Sequence, residues 1–171
     1  LKIVCVYSVY NLVFSQLSTL IQSTFITAPQ ANFGRLYSED KQRYNKAYGI
    51  YETLYLIIIF CITAISLIMV IPFVRIYTAG VTDVNYVDVF LPILFALILL
   101  MNLCRVPAIL TVNISGCFKE TQNGAIIEAI INVVVSIALF FLTPLGLYGL
   151  LIGTVCSYVF RTTELILYAY R

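Results

Sequence analysis

Histidine and tryptophan are both absent from the 171 residues, and charged side chains make up only 11% of them. Without histidine the chain has no imidazole to act as a general base or metal ligand near neutral pH. Zinc and His-based catalytic sites are therefore excluded, and neither a metal nor a cofactor is expected. The five cysteines (Cys5, Cys61, Cys104, Cys117 and Cys156) stand singly, with no CxxC pair or disulfide framework. Four lie within or beside apolar runs, where a free thiol behaves as a small hydrophobe. HExxH, GxSxG and Walker A runs are missing, as are DxxD-type acid pairs, so no enzyme activity is expected. A net charge of +2 without a basic patch excludes nucleic acid as a partner.

Apolar runs fill the space that charge leaves. Hydrophobic residues make up 61% of the chain and mean hydropathy is +0.99. Soluble domains are nearer roughly 45–50% apolar and about 25% charged. The sequence therefore reads as an all-α polytopic membrane bundle, with the lipid bilayer as its first partner. Five spans are expected, at about Ile3–Phe33, Ala47–Tyr77, Val87–Val112, Gly124–Leu142 and Leu147–Tyr170, in one membrane domain. The polar segment Arg35–Lys46 and the stretches Thr78–Tyr86 and Asn113–Asn123 read as connections, and Thr143-Pro144-Leu145-Gly146 as a tight turn. No signal peptide with a cleavage site is visible, and Leu1 already continues an apolar helix. The expectation is a fragment lacking an N-terminal part.

Lys and Arg set the orientation. Arg35, Lys41, Arg43 and Lys46 occupy the first connection and Lys119 the third, whereas the second and fourth hold neither residue type. The bias places the first and third connections and the C-terminus in the cytoplasm. Tyrosines mark the boundaries in place of tryptophan. Tyr37, Tyr44, Tyr48, Tyr51, Tyr168 and Tyr170 gather at the inner level, and Tyr77, Tyr86 and Tyr148 at the outer.

The polar residues within the spans are ordered. Glu128, Asn132 and Ser136 follow at steps of four, which stacks them on one side of a helix whose other sides are Ile, Val, Ala and Leu. In the first span Ser8, Asn11, Ser15, Ser18 and Gln22 recur at steps of three and four, widened by Gln16, Thr19 and Ser23. Either these hydroxyls and amides glue the helix to its neighbours or they wall a wet cavity. The fifth span carries Thr154, Ser157, Arg161 and Glu164 along one stripe. Its Gly149 and Gly153, extended by Ser157, form a small-residue seam suited to close helix packing.

Depth groups the charges. Glu52 and Arg105 fall near the inner ends of their spans, Glu128 about 6–9 Å in, and Arg161 roughly 12–15 Å in, at the helical rise per residue. Two acids and two bases at similar levels either pair to make their burial tolerable or line a cavity that receives an anion. Arginine suits the second role because its planar fork matches phosphate oxygens and keeps its charge when buried.

Several runs resemble, in order, the C-terminal half of the polysaccharide-biosynthesis flippases of the MOP superfamily. They are VYSVYNLVFSQLSTLIQS (Val6–Ser23), ANFGRLYSED (Ala31–Asp40), PFVRIYTAGVTDVNY (Pro72–Tyr86), RVPAIL with GCFKETQNGAIIEA (Arg105–Ala129), and the stretch from Ile126 to Arg161. The resemblance implies two six-helix lobes around a central cavity, with the N-terminal lobe of the same protein as a partner missing here. It further implies transfer of an undecaprenyl-pyrophosphate-linked oligosaccharide to the outer leaflet of a bacterial plasma membrane. The resemblance assigns no substrate-contacting residues; the polar stripes and the grouped charges point to Arg105, Arg161, Glu128, Asn132, Ser136, Asn11, Ser15 and Gln22 as a substrate cavity. A MATE-like drug/cation antiporter, a membrane polymerase or ligase of the same pathway, and a non-transporting scaffold are the alternatives.

Overall fold

The computed structural model describes residues 2–80, 86–144 and 146–169, with side chains from residue 4 onward. Asp83, Asn85, Leu145, Tyr170 and Arg171 lie outside the described residues. The elements run α1 (Lys2–Gln22), a π-helical turn (Ser23–Thr27), α2 (Ala28–Glu39), α3 (Lys41–Tyr77), α4 (Phe90–Cys104), α5 (Val106–Ser115), α6 (Phe118–Leu142) and α7 (Leu147–Ala169). Among the described residues these make five helical runs long and apolar enough to cross a membrane: Val4–Glu39, Lys41–Tyr77, Phe90–Ser115, Phe118–Leu142 and Leu147–Ala169. The chain is an all-α, multi-pass helical bundle.

The connections are shorter than the polar composition suggests, because polar residues extend the helices instead of forming loops. Within Arg35–Lys46 only Asp40 leaves the helical conformation, at φ −151°. Its carboxylate accepts from the amides of Gln42 at 3.0 Å and Arg43 at 3.1 Å, which caps α3 and turns the chain back. Asn113–Asn123 narrows in the same way to Gly116 and Cys117. Gly116 sits at φ +71°, a left-handed conformation that glycine adopts cheaply, and its amide ends α5 by donating to the Val112 carbonyl at 3.0 Å.

The larger core lies between α1, α3 and α4. Phe95 of α4 is ringed by Tyr7, Tyr10 and Phe14 of α1 at centroid distances of 5.3, 6.4 and 5.7 Å. Tyr55, Ile59, Val70 and Val74 of α3 and Leu99 and Leu103 of α4 complete it. By contrast only 6% of the apolar window of α6 is buried. Ile126, Ile130, Val133, Val134, Ile137 and Phe141 all face outward, an arrangement that hydrocarbon accepts and water does not.

One end of the bundle is tied by Asp88. Its carboxylate caps α4 by accepting from Phe90 N at 2.7 Å and Leu91 N at 3.1 Å, and also accepts from Tyr148 Oη of α7. Tyr10 Oη of α1 donates to the Tyr86 carbonyl at 3.1 Å and accepts from Asp88 N at 3.3 Å. Burial pushes the Asp88 carboxyl up, but the bonds from Tyr148, Leu91 and Phe90 outweigh it and hold the group below the usual carboxylate range. A depressed folded-state value means stabilisation that is present above the unfolded pKa and lost as pH falls through the folded one. Asp88→Asn turns charge-assisted hydrogen bonds into neutral ones, and is expected to lower the melting temperature at neutral pH by the equivalent of about 1 kcal/mol and to flatten the acid loss. Thermal melts of the two proteins between neutral and acidic pH check this.

Candidate functional site

Four helices contribute to one polar network. Span three breaks where α4 ends at Cys104, and Pro107 opens α5. Proline removes one intrahelical bond and favours the first turn of a new helix. Arg105 stands at this break, half-buried. Its Nη1 donates to Glu128 Oε1 of α6 at 2.9 Å and its Nη2 to Asn102 Oδ1 at 2.6 Å. The guanidinium lies 4.6 Å from the centroid of the Tyr158 ring of α7, within cation–π range.

Glu128 is shared. Its second oxygen faces Arg161 Nε at 3.7 Å, and Arg161 Nη1 donates in turn to Glu164 one turn further along α7. Arg161 is only 8% exposed, so both of its carboxylate partners act in a medium less screening than water. The two arginines and two glutamates cancel in charge, which is the condition under which buried ions are tolerated. On the other side, Asn102 Nδ2 and Gln22 Nε2 each donate to Ser18 Oγ at 2.8 Å, carrying the network to α1. Arg105 Nε is buried and has no hydrogen-bond partner among the described residues.

Beside the network is a cavity of about 290 Å³ with a mixed wall, in which Phe14, Phe95, Ile98 and Leu99 supply apolar surface. Asn11, Ser15, Ser18, Thr19 and Gln22 of α1 wall one side, and Asn102, Phe95 and Tyr158 close the other. Asn11 and Ser15 are exposed, so the wall opens to the surroundings. Of the residues expected from sequence, Asn11, Ser15 and Gln22 line this cavity. Arg105 stands one layer behind, with its partners Asn102 and Tyr158 at the wall.

Glu128, Asn132, Ser136 and Arg161 are absent from the cavity wall. The first three belong to α6, whose stripe turns against α7, the helix that carries Arg161. Ser136 Oγ lies 3.2 Å from Asn132 Oδ1 and 3.3 Å from the Leu150 carbonyl, sharing one proton between them. The reason is the small-residue seam: a Cβ placed on Gly153 would stand 2.8 Å from Ser136 N, and one on Gly149 3.0 Å from Leu139 Cβ. Gly124 of α6 is covered by the Glu164 carboxylate, which would have to move aside for a side chain there. Ser157 is fully buried in α7 and donates to the Thr154 carbonyl at 2.9 Å.

Glu52, at a similar depth, faces elsewhere. It borders a separate cavity of about 480 Å³ with Tyr44, Asn45, Tyr48 and Thr111. Depth along a helix places a residue at a level but says nothing of which way its helix is turned. The carboxylate that takes the fourth place is Glu164, found in the sequence as part of the α7 stripe. Tyr158 carried no sequence signal, because an aromatic in an apolar run reads as core.

Fold and site together define a polytopic all-α membrane protein with a charge-balanced network beside an open cavity whose α1 side carries amides and hydroxyls. Comparison with family models, with curated proteins and with solved structures finds no match for this chain.

Proposed function

We propose that the chain is a lobe of a transporter that moves an undecaprenyl-pyrophosphate-linked oligosaccharide across a bacterial plasma membrane for surface polysaccharide synthesis. The observation that carries the reading is the cavity whose wall of Asn11, Ser15, Ser18, Gln22 and Asn102 is backed by Arg105. Amides and hydroxyls on one helix side, in a chain otherwise built for hydrocarbon, provide donors and acceptors for a sugar head. The resemblance to the oligosaccharide flippases over most of the chain supports the same assignment.

In this reading the amides and hydroxyls of α1 and α4 hold the saccharide while the lipid tail stays in the bilayer. Arg105, one layer behind the wall, supplies positive charge to the diphosphate through the field it sets in the cavity. Glu128 and Arg161 hold Arg105 in place, and Asn132 and Ser136 fix α6 against α7. The lobe rocks against the N-terminal lobe around this cavity, the usual motion of repeat-built transporters. The C-terminus is cytoplasmic. No covalent chemistry takes place.

A bulky side chain in the cavity tests the proposal. Ser15→Trp places an indole in the opening from an exposed position, and Val134→Trp places one on the outward side of α6. The first is expected to abolish most surface polysaccharide with unchanged membrane abundance, and the second to leave it intact. Normal polysaccharide with Ser15→Trp would reject the cavity as the passage. Altered drug resistance without a polysaccharide defect would favour the antiporter.

A further inference from the structure

The break in span three takes the Met101 and Leu103 carbonyls out of the regular helical ladder. In a continuous helix the Met101 carbonyl would receive the amide of Arg105, and the Leu103 carbonyl that of residue 107. The Arg105 amide turns instead to Leu103 O, and Pro107 has no N–H to give. Each of the two carbonyls receives a hydroxyl from a neighbouring helix, Leu103 O in addition to the Arg105 amide. Thr162 Oγ1 of α7 donates to Met101 O at 3.0 Å, and Tyr55 Oη of α3 donates to Leu103 O at 3.0 Å in a fully buried bond.

The same device recurs one turn away on α3. Pro29 offers no N–H to the Phe25 carbonyl, and Tyr51 Oη donates to that carbonyl at 2.6 Å. Tyr51 and Tyr55 stack with centroids 6.0 Å apart, and Phe25 packs edge-on against Tyr55 at 5.0 Å. Two helical spans, one broken before a proline and one carrying a π-helical turn before a proline, are thus pinned to one pair of tyrosines. An unmet buried carbonyl is costly, so each hydroxyl fixes where its break can sit.

The geometry points to Tyr55 and Thr162 as positioning residues for Arg105. They touch neither cavity nor guanidinium. They hold the carbonyls two and four residues before it, from opposite sides, and so set the angle at which Arg105 leaves α4 toward Glu128 and Asn102. The inference rests on the reading of Arg105 as part of the transport site, but its structural half is measurable without transport.

The native Cys104, next to Arg105, reports on the break. In the intact protein with the other four cysteines replaced, Tyr55→Phe and Thr162→Val are each expected to raise the alkylation rate of Cys104 about fivefold, the equilibrium worth of one neutral hydrogen bond. Both are also expected to reduce surface polysaccharide at normal membrane abundance. Pro107→Ala restores an amide for Leu103 O, so Tyr55→Phe added to it should change the Cys104 rate no further. An unchanged rate in the single variants, or an equal effect of Tyr55→Phe in both backgrounds, would overturn the capping role. Faster Cys104 reaction with full polysaccharide would overturn the positioning role and leave the capping intact. Loss of the transport reading itself would show as polysaccharide indifferent to Ser15→Trp, with the Cys104 rates still responding.

Discussion

Replacing Glu128 with alanine is expected to destabilise the protein by about 3–5 kcal/mol, the range for removing one partner of a buried ion pair. The carboxylate faces two guanidinium groups, Arg105 at 2.9 Å and Arg161 at 3.7 Å. Without it Arg105 keeps only Asn102 and the Tyr158 ring, neither of which carries a charge, and Arg161 keeps only Glu164. The network then holds two cations against one anion in a poorly screening medium. Glu128→Gln retains an oxygen for Arg105 Nη1 and should cost less. Changing Glu128 to Leu together with Arg105 to Met removes a cation with the anion and should recover part of the loss. Thermal unfolding of the detergent-purified variants orders the three. Equal stability of Glu128→Ala and the parent would show that the pairs contribute nothing to holding the bundle.

The second large effect is expected at Gly153. A Cβ there would stand 2.8 Å from Ser136 N and 2.9 Å from Ser136 Cα, and both are backbone atoms that cannot step aside. Gly153→Ala must therefore push α7 from α6, at about 1–3 kcal/mol for overpacking. It should also loosen the bond from Ser136 Oγ to the Leu150 carbonyl. Gly34 provides the comparison, since nothing lies within 4 Å of its added Cβ. Gly34→Ala should be neutral or stabilising by up to about 1 kcal/mol, because alanine suits a helix interior better than glycine. Melting temperatures of both variants, set beside the parent, check the pair. A Gly153→Ala protein as stable as the parent would contradict the close approach of the two helices.

Helical periodicity made much of this readable in advance. Mean hydropathy and the spacing of apolar runs give an all-α membrane bundle, and steps of three and four place Asn11, Ser15, Ser18 and Gln22 on one side of α1. What periodicity cannot supply is the identity of the neighbour. Asn102 reaches Ser18 across 84 residues, and Glu128 reaches Arg105 across 23. Nothing local distinguishes those partners from Glu52, whose level in the bilayer is similar. Polar helix and polar loop are also alike in composition, which is why Arg35–Lys46 reads as a connection although a single cap at Asp40 interrupts it. Gly124 lacks the four-residue companion that marks Gly149 and Gly153, so its contact with Glu164 had no signature. The break at Arg105 was visible only as Pro107, and the hydroxyls that cap it come from two other helices.

Two exposed surfaces of this chain should meet different solvents. Ser15 lines the cavity on α1, while Val134, 58% exposed, lies on the apolar outside of α6. Cysteine placed at each position in a protein without its native thiols, then treated in intact membranes with a charged, water-soluble thiol reagent, reads that difference directly. The expected result is rapid labelling at position 15 and none at position 134. Protection of position 15 to the same degree as position 134 would mean that the polar side of α1 is sealed from water, and no passage for a sugar-phosphate head would remain.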